Sequence, residues 1–371
     1  MQVLITGSNG FIGKNLKFML ANKTEIKIKE FNRQTPREKL DELIQWSDVI
    51  FHLAGENRTS DVDDFYKNNT LLTQQICEGI YKKKRSTPII FTSSTQASED
   101  NPYGISKLAS EKLLENLYIK TKNPVIIYRL PGIFGKWGKP NYNSVVNTFC
   151  HNFANNLEIQ IYDPKKLIKL GYIDDLVMEF TSILNEPISG MAMKELQPLY
   201  IISVEDLVQK ISQFVKSRKN LMVEPVGEGL LRALYSTFLS YLPIDQAVYN
   251  LPTHTDSRGN FVEIIKTKDY GQFSFLTAKP GSTRGGHYHN SKTEKFLVVC
   301  GSAKFRFKNI LNNNTHEFIT TDKKYEIVET IPGWAHDITN IGSSELIAFI
   351  WASEQFNTNL PDTYLYALSN D

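Results

Sequence analysis

The sequence has few cysteines, almost no net charge and no long apolar run. Its 371 residues include three cysteines, Cys77, Cys150 and Cys300, which are widely spaced and form no CxxC pair. This argues against a disulfide scaffold and predicts a reduced, cytoplasmic protein. A formal net charge of +2 gives no bulk attraction to nucleic acid or anionic lipid. The longest apolar segment, 230–242, is too short to span a bilayer, so we expect no stable membrane insertion.

The first predicted strand, 2–6, leads into a glycine-rich turn with a helical pattern after it. Glycines at such a turn let the backbone approach a pyrophosphate, while the helix N-terminus supplies amide hydrogens and positive potential. A glycine-rich turn alone is weak evidence, but its place at the end of the first strand strengthens it. The candidate cofactor-binding residues here are Gly7, Asn9, Gly10, Phe11, Ile12 and Gly13.

The end of the second predicted strand, 26–31, bears on the choice of cofactor. An acidic side chain about 20 residues past the last glycine would hold the ribose 2′-hydroxyl of NAD, but Asn32 and Arg33 stand there. Arg33 can pair with a 2′-phosphate, so NADP(H) is favoured. A solvated turn arginine is the alternative, and Glu30 keeps NAD open. The third strand ends in further cofactor candidates, Leu53, Ala54 and Gly55.

Tyr103 and Lys107 lie four residues apart on a strongly helical segment, hence on one helix face. A lysine ammonium beside a phenol lowers the tyrosine pKa from about 10, which suits Tyr103 to proton transfer near neutral pH. A serine hydroxyl at the preceding strand end can share the substrate oxygen. Among Ser93, Ser94 and Thr95, we favour Ser94.

Together these features of the first two-thirds of the chain resemble the extended short-chain dehydrogenase/reductase family, which includes nucleotide-sugar epimerases, dehydratases and reductases. The resemblance implies a Rossmann-type, doubly wound parallel sheet with a small substrate lobe. It assigns catalysis to Ser94, Tyr103 and Lys107, with Tyr103 and Lys107 also touching the cofactor. It adds Asn69 as a structural and catalytic asparagine, and places Leu130 in the stretch that reaches the nicotinamide. The interval from Ser94 to Tyr103 is short for the family, so we expect a trimmed loop.

The last third of the chain contains a candidate metal site. His287 and His289 are two residues apart, so on a strand they project from the same face. Glu294 follows across a predicted short hairpin turn, and His336 is a fourth candidate ligand. Three imidazole nitrogens and one carboxylate oxygen form a borderline-hard ligand set, which suits Zn, Fe, Mn or Ni. Short strand-like runs across 261–350, split by glycines, asparagines and prolines, predict a barrel or sandwich.

The spacing of these ligands resembles the cupin family. Its first motif matches 281–301 at every fixed position, and its second matches at Gly333, His336 and Asn340, with the proline one residue closer. The resemblance implies a metal-binding β-barrel. We therefore predict a reductase domain at 1–243, a linker at 244–251 and a cupin domain at 252–371.

The stretch 256–263 resembles the opening of sugar-nucleotide 3,5-epimerases, cupin-fold proteins that act on 4-keto-6-deoxy sugars. Arg258 in it is suited to grip a diphosphate or a sugar oxygen, although a plain hairpin turn also explains it. Tyr288 is the other candidate substrate residue. The candidates for an epimerisation base are the histidine and tyrosine side chains near the metal, including Tyr288 and Tyr325, and the sequence does not rank them.

The whole chain resembles the bifunctional capsular-polysaccharide enzymes that fuse such a reductase to a cupin. The resemblance implies a homodimer acting on a UDP-linked 2-acetamido-2,6-dideoxy-4-ketohexose, a 4-keto-6-deoxy amino sugar. It implies C3 epimerisation in a zinc-binding cupin, followed by NADPH-dependent C4 reduction to a 6-deoxy-L-talose derivative on the route to L-FucNAc. That order is compelled because reduction removes the carbonyl that makes C3 acidic. The alternative is a 4-keto reductase whose cupin is a structural metal-binding or dimerisation module, since a closed four-ligand zinc is usually structural.

Overall fold

The computed structural model describes residues 1–83, 85–359 and 361–368; Lys84, Leu360 and 369–371, which fall within the predicted domain bounds, lie outside that part. By its contacts the chain forms two compact units, Met1–Ile211 with Glu228–Pro243, and Ser212–Gly227 with Ile244–Asp371. Residues 212–227 therefore group with the C-terminal unit, whereas the sequence placed them in the reductase domain. The reason is a parallel strand pairing of Met222 with Lys266 and of Val223 with Thr267.

The N-terminal unit is built on a parallel sheet. In chain order its strands are β1 (Gln2–Thr6), β2 (Lys27–Phe31), β3 (Val49–His52), β4 (Ile89–Ser94), β5 (Val125–Leu130), β6 (Gly132–Phe134), β7 (Leu167–Tyr172), β8 (Met191–Lys194) and β9 (Tyr200–Ser203). Six of them form a sheet of order β2-β1-β3-β4-β5-β8 in which every pair is parallel. This confirms the predicted Rossmann-type sheet. The strand order reverses between β1 and β3, and such folds bind ligands outside the carboxyl ends of the strands at that reversal.

Helices pack on the sheet through apolar side chains such as Leu43, Ile76 and Leu114. The helices are α1 (Phe11–Ala21), α2 (Lys39–Trp46), α3 (Asp63–Phe65), α4 (Leu71–Lys82), α5 (Pro102–Thr121), α6 (Val145–Ala154), α7 (Ile173–Ile183), α8 (Val204–Asn220) and α9 (Gly229–Leu239). A π-helical turn, Tyr66–Thr70, precedes α4, and 3-10 turns occupy Thr95–Ser98 and Ile244–Ala247. Strands β6, β7 and β9 form a small second sheet.

The C-terminal unit consists of strands in two sheets. The strands are β10 (Met222–Val223), β11 (Thr253–Asp256), β12 (Gly259–Thr267), β13 (Gln272–Ala278), β14 (Thr283–Tyr288), β15 (Glu294–Cys300), β16 (Ser302–Asn309), β17 (Thr315–Thr321), β18 (Ile327–Glu329), β19 (Trp334–Asn340), β20 (Leu346–Ala352) and β21 (Tyr364–Leu365). One sheet has the order β10-β12-β13-β20-β15-β18, with β11 added on β12, and the other β17-β16-β19-β14-β21. Phe296 and Ile350 of the first sheet share an apolar cluster with Phe305 and Ile338 of the second, so the sheets face each other.

These sheets confirm an all-β C-terminal unit, while pairing among the described residues gives two facing sheets and leaves the closed barrel a prediction. The hairpin predicted between His289 and Glu294 is wrong. Strand β14 pairs with β19 and β15 pairs with β20, so the chain crosses from one sheet to the other at 289–293.

All three cysteines are free thiols. In the part of the chain that the structure describes, no helix has the length and apolar character needed to cross a membrane.

Candidate active site and metal centre

The glycine-rich turn brings the end of β1 against the end of β3. Gly7 has a φ of 69°, and a Cβ on it would lie 2.6 Å from the Ala54 nitrogen. A Cβ on Gly13 would lie 2.3 Å from the Gly7 carbonyl oxygen. Only glycine fits at these two positions, and because it has no Cβ, a phosphate can approach the backbone of the turn closely. Asn9 lies in the same turn, Phe11 and Ile12 open α1, and Leu53 and Gly55 flank Ala54.

The N-terminus of α1 is free to receive an anion. Within the described residues, no side chain caps it and its first turn contains no acidic residue. Its amide hydrogens and the positive end of the helix dipole therefore face the turn where a pyrophosphate is expected, and no acidic side chain of the first turn offsets this positive potential. This fits the predicted dinucleotide site.

Three side chains near the end of β2 already have partners. Arg33 forms an ion pair with Glu56, a residue that sequence reasoning did not single out. The Asn32 amide lies 3.4 Å from the Ser8 hydroxyl. Glu30, the residue that kept NAD open, is paired with Lys17 at 3.2 Å.

Tyr103 and Lys107 project from α5 toward the end of β4. The Lys107 Nζ is buried, donates to the Thr92 carbonyl at 2.8 Å and lies 6.0 Å from the Tyr103 ring centre. Burial lowers the pKa of Lys107 to about 8, against the opposing effect of Glu111. Burial also raises the pKa of Tyr103, although a hydrogen bond with Ser94 acts to lower it. The expected lowering of the Tyr103 pKa is therefore wrong here, because desolvation outweighs the hydrogen bond with Ser94.

The three hydroxyls at the end of β4 point to different places. Ser94 is buried and hydrogen-bonds to Tyr103, and its oxygen also accepts from the Gln96 amide at 3.1 Å. Ser93 donates instead to the Glu111 carboxylate, and Thr95 is exposed. The geometry thus favours Ser94 as the partner of Tyr103. Leu130 ends β5 directly beside Ser94 in the sheet.

Asn69 lies in the π-helical turn, a type of local bulge that is frequent at functional sites. Its side chain accepts from the Glu56 amide at 2.6 Å and donates to the Glu56 carbonyl and the Ser106 hydroxyl, each at 2.9 Å. A Cβ on Gly55 would lie 3.1 Å from both the Asn69 Oδ1 and the Lys107 Nζ. Asn69 therefore joins the end of β3 to the helix that carries the predicted catalytic pair, Tyr103 and Lys107.

The short loop before Tyr103 depends on a close approach at Gly104. The Asn101 side chain caps α5 by accepting from the Gly104 amide at 2.8 Å. A Cβ on Gly104 would lie 2.1 Å from the Gln96 carbonyl oxygen. The loop thus packs against the first turn of α5 in a space that excludes any larger residue.

Sequence reasoning missed Glu111, which is 1% exposed. Its carboxylate accepts from the Arg129 guanidinium at 3.0 and 2.7 Å, as well as from Ser93. The available signal was its spacing, since it continues the helix face of Tyr103 and Lys107 by another four residues. A buried carboxylate needs such partners because desolvation of an unpaired charge is costly.

In the C-terminal unit, His287, His289, Glu294 and His336 bring their ligand atoms within 4.8 Å of one another. His287 and His336 are register partners on β14 and β19. One Glu294 oxygen lies 3.3 Å from the His289 Nε2 and 3.4 Å from the His336 Nε2. The four side chains predicted as metal ligands therefore converge.

The cluster fits a divalent metal ion. The Nε2 atoms of His289 and His336 are buried and lack a hydrogen-bond partner among the described residues, which is costly unless another ligand binds them. Burial lowers the pKa of His287 to about 4, so this imidazole is neutral near pH 7, the form that coordinates metals. Burial acts to raise the pKa of Glu294, but the two neighbouring imidazoles hold it below its usual range. One carboxylate and three imidazoles match the borderline metals.

Asp362, which sequence reasoning also missed, supports the loop that carries the ligands. Its carboxylate accepts from the amides of Asn290, Ser291 and Lys292 at 2.7 to 2.8 Å. Its backbone carbonyl faces the His289 Nδ1. Such a partner orients a metal-binding imidazole. Asp362 lies 68 residues past Glu294 in the sequence, so no local spacing could reveal it.

A cavity of about 280 Å³ opens beside this cluster. His287, Glu294 and His336 line it together with Arg258 and Arg284. The Arg258 guanidinium is paired with Asp256 at 2.7 Å. The structure therefore brings the predicted substrate residue Arg258 to the metal site and adds Arg284, which sequence reasoning missed.

The tyrosine candidates lie elsewhere. Tyr288 stacks on Tyr364 with ring centres 5.2 Å apart, and Tyr325 is exposed. Within the described part of the chain, neither is among the residues that line the cavity. Alternation along β14 turns Tyr288 away from the face that carries His287, so a contact between Tyr288 and substrate stays a prediction.

Comparison with known proteins bears on both units. Residues 3–195 match the NAD dependent epimerase/dehydratase family, and residues 254–364 match a family described as the polysaccharide biosynthesis C-terminal domain. The chain is 49% identical to UDP-2-acetamido-2,6-beta-L-arabino-hexul-4-ose reductase from Pseudomonas aeruginosa, over 98% of each chain.

Two solved structures extend the comparison. The capsular polysaccharide assembling protein CapF from Staphylococcus aureus is 38% identical, with a TM-score of 0.91 over 99% of this chain and all of that one. UDP-glucuronic acid 4-epimerase from Bacillus cereus, solved with UDP-glucuronic acid and NAD, is 20% identical, with a TM-score of 0.52 over 58% of this chain and 83% of that one. This second likeness speaks for the fold alone.

Proposed function

Because the chain belongs to the NAD dependent epimerase/dehydratase family and is a CapF-like protein throughout its length, we propose that it is a bifunctional nucleotide-sugar enzyme. Its substrate is a UDP-linked 2-acetamido-2,6-dideoxy-4-ketohexose. The C-terminal unit, with a cupin fold, inverts C3. The N-terminal unit then reduces the C4 ketone with NADPH to a UDP-2-acetamido-2,6-dideoxy-L-talose on the route to L-FucNAc.

One observation carries the proposal that there are two sites. The chain holds a hydroxyl pair with a lysine, Ser94, Tyr103 and Lys107, in one compact unit, and a metal-ready cluster beside an arginine-lined cavity in the other. A reductase needs only the first. The second site combines two arginines, which can bind a diphosphate or a sugar oxygen, with a metal-ready cluster suited to stabilise an enolate.

In the reductase step, the C4 carbonyl oxygen accepts hydrogen bonds from Ser94 and Tyr103. Bound NADPH supplies the hydride that reaches C4. The Tyr103 hydroxyl gives its proton to the oxygen as the carbonyl π bond breaks, which yields a C4 alcohol. Its raised pKa keeps Tyr103 protonated at neutral pH, as a proton donor must be. The charge of Lys107 then stabilises the phenolate that remains.

In the epimerase step, a base removes the C3 hydrogen, which the neighbouring C4 ketone acidifies. Return of a proton to the opposite face inverts C3. His287, His289, Glu294 and His336 would hold a divalent metal, most readily Zn, whose charge would stabilise the enolate oxygen. Arg258 and Arg284 hold the diphosphate or a sugar oxygen at the cavity. The candidates for the base stay those of the sequence, the histidine and tyrosine side chains near the metal, although Tyr288 and Tyr325 are not among the described residues that line the cavity.

The test is mass spectrometry of a UDP-4-keto-6-deoxy-N-acetylhexosamine incubated with the protein in D2O without NADPH. We expect deuterium at C3, and its loss in His289→Gln, with circular dichroism confirming that this variant is folded. Tyr103→Phe is the matched control, because it should keep the exchange while losing NADPH oxidation. If wild-type protein oxidises NADPH but exchanges nothing, the epimerase half of the proposal is refuted.

A second candidate is a 4-keto reductase whose C-terminal unit only binds a structural metal or forms the dimer. Four protein ligands favour it, since catalytic zinc usually keeps an open position. The same D2O experiment decides between the two. The homodimer and the cytoplasmic location predicted from the sequence stay predictions, as do the domain bounds.

A further inference from the structure

The ion pair between Arg33 and Glu56 crosses the proposed nucleotide site. Arg33 lies two residues beyond β2, and Glu56 lies four residues beyond β3. Strand β1 runs between these two strands in the sheet. A contact that joins the far ends of β2 and β3 must therefore pass over the end of β1, where the glycine-rich turn begins.

The two partners differ in how firmly they are held. The backbone of Glu56 is bonded at both its amide and its carbonyl to Asn69, and its carboxylate accepts from the Tyr142 hydroxyl at 3.2 Å. Its side chain is 11% exposed, whereas that of Arg33 is 84% exposed. Tyr142 is itself held, since its carbonyl accepts from Arg58 at 2.6 Å. Glu56 is thus the fixed anion, and Arg33 is the side chain free to swing.

From this geometry we propose that Glu56 is a specificity-determining residue that lowers the preference of the enzyme for NADP(H) over NAD(H). The inference rests on the proposed nicotinamide-dependent reduction and concerns the cofactor alone. A 2′-phosphate carries between one and two negative charges near pH 7 and needs the Arg33 guanidinium as its counter-ion. Glu56 competes for that guanidinium and repels the phosphate.

NAD(H) does not meet this conflict. Its adenosine ribose presents a 2′-hydroxyl, which can donate to a carboxylate as it does to the acidic residue that usually follows the second strand. Glu56, reaching the same region from β3, supplies the carboxylate that Asn32 and Arg33 do not. Arg33 thus favours NADP(H) and Glu56 favours NAD(H), and the relative strength of the two effects sets the cofactor preference.

Isothermal titration calorimetry with NADP+, NAD+ and 2′,5′-ADP tests this without catalysis. We expect Glu56→Gln to bind NADP+ and 2′,5′-ADP about fivefold more tightly, the scale of one partly exposed ion pair, and NAD+ no more tightly than wild type. The gain should shrink as salt is raised. Arg33→Gln should lose 2′,5′-ADP binding selectively. Tyr142→Phe, which keeps the carboxylate charge, is the matched control and should change the ratio of affinities little.

Equal affinities of wild type and Glu56→Gln for 2′,5′-ADP would overturn the inference, as would an equal gain for NAD+ and NADP+. Failure of the proposed function looks different. In that case the shift in 2′,5′-ADP affinity is present, but neither cofactor supports reduction of the keto sugar. Because the Asn69 bonds go to the Glu56 backbone, Glu56→Gln is expected to fold, and its melting temperature checks this.

Discussion

Replacing Lys107 with methionine is expected to abolish ketone reduction and yet stabilise the N-terminal unit at pH 7. The ammonium is buried, and burial lowers its pKa from 10.5 to about 8. At about 1.4 kcal/mol per pH unit, keeping this lysine charged costs the fold roughly 3 kcal/mol. Methionine removes that cost and also the hydrogen bond to the Thr92 carbonyl, worth about 1 kcal/mol. The net expectation is a gain of about 2 kcal/mol.

The sign of the pH dependence follows from the direction of the shift. The folded form holds its proton less tightly than the unfolded form, so the cost is fully present below about pH 8. It fades as the pH rises toward 10.5, where the unfolded chain loses the same proton. The advantage of Lys107→Met should therefore be largest at pH 7 and nearly vanish by pH 10.

Differential scanning calorimetry at the two pH values measures this, with the N-terminal transition identified as the one that added zinc does not move. Lys112→Met is the matched control, since Lys112 is an exposed lysine on the same helix. Its effect should be small at both pH values. A Lys107→Met protein that is less stable than wild type by the same amount at pH 7 and pH 10 would refute the reasoning, because it would mean that the buried charge costs nothing.

Three further predictions concern other parts of the two sites. Gly104→Ala should lower stability by about 2 to 3 kcal/mol and abolish NADPH oxidation, because its Cβ meets the Gln96 carbonyl at 2.1 Å; melting curves and activity check both. Glu111→Gln should lower the free energy of unfolding by about 1 to 2 kcal/mol, a modest loss because Arg129 is partly solvated. It should also lower the Lys107 pKa further, so that kcat is lost at a lower alkaline pH; an unchanged pH profile would contradict this. Zinc at about a thousand times its Kd should stabilise the C-terminal unit by roughly 4 kcal/mol, and His336→Gln should lose that response in calorimetry.

Features of the fold that depend on local pattern were predictable from the sequence. The glycine turn after β1, the helix carrying Tyr103 and Lys107, and most strands of the C-terminal unit lie where periodicity and turn residues indicated. The convergence of His287, His289, Glu294 and His336 was expected from the resemblance to the cupin motifs, because spacing alone puts only His287 and His289 on one strand face. Each of these signals is contained within a short stretch of chain or in a family motif.

What the sequence could not provide is pairing between distant segments. Glu111 and Arg129 meet because β5 lies beside β4, and Glu56 meets Arg33 because β3 and β2 flank β1. The pKa of Tyr103 depends on how much water its surroundings exclude, which no spacing encodes. The hairpin expected after His289 failed for the same reason, since two adjacent strands joined different sheets.

The contact between Asp362 and the loop at 290–292 joins segments that are synthesised 70 to 72 residues apart. All four candidate metal ligands have been translated by His336, but the carboxylate that shapes their loop follows 26 residues later. A nascent chain released or stalled shortly after His336 carries every donor atom and lacks the support that orients His289. The proposed metal loading therefore depends on translation through Asp362.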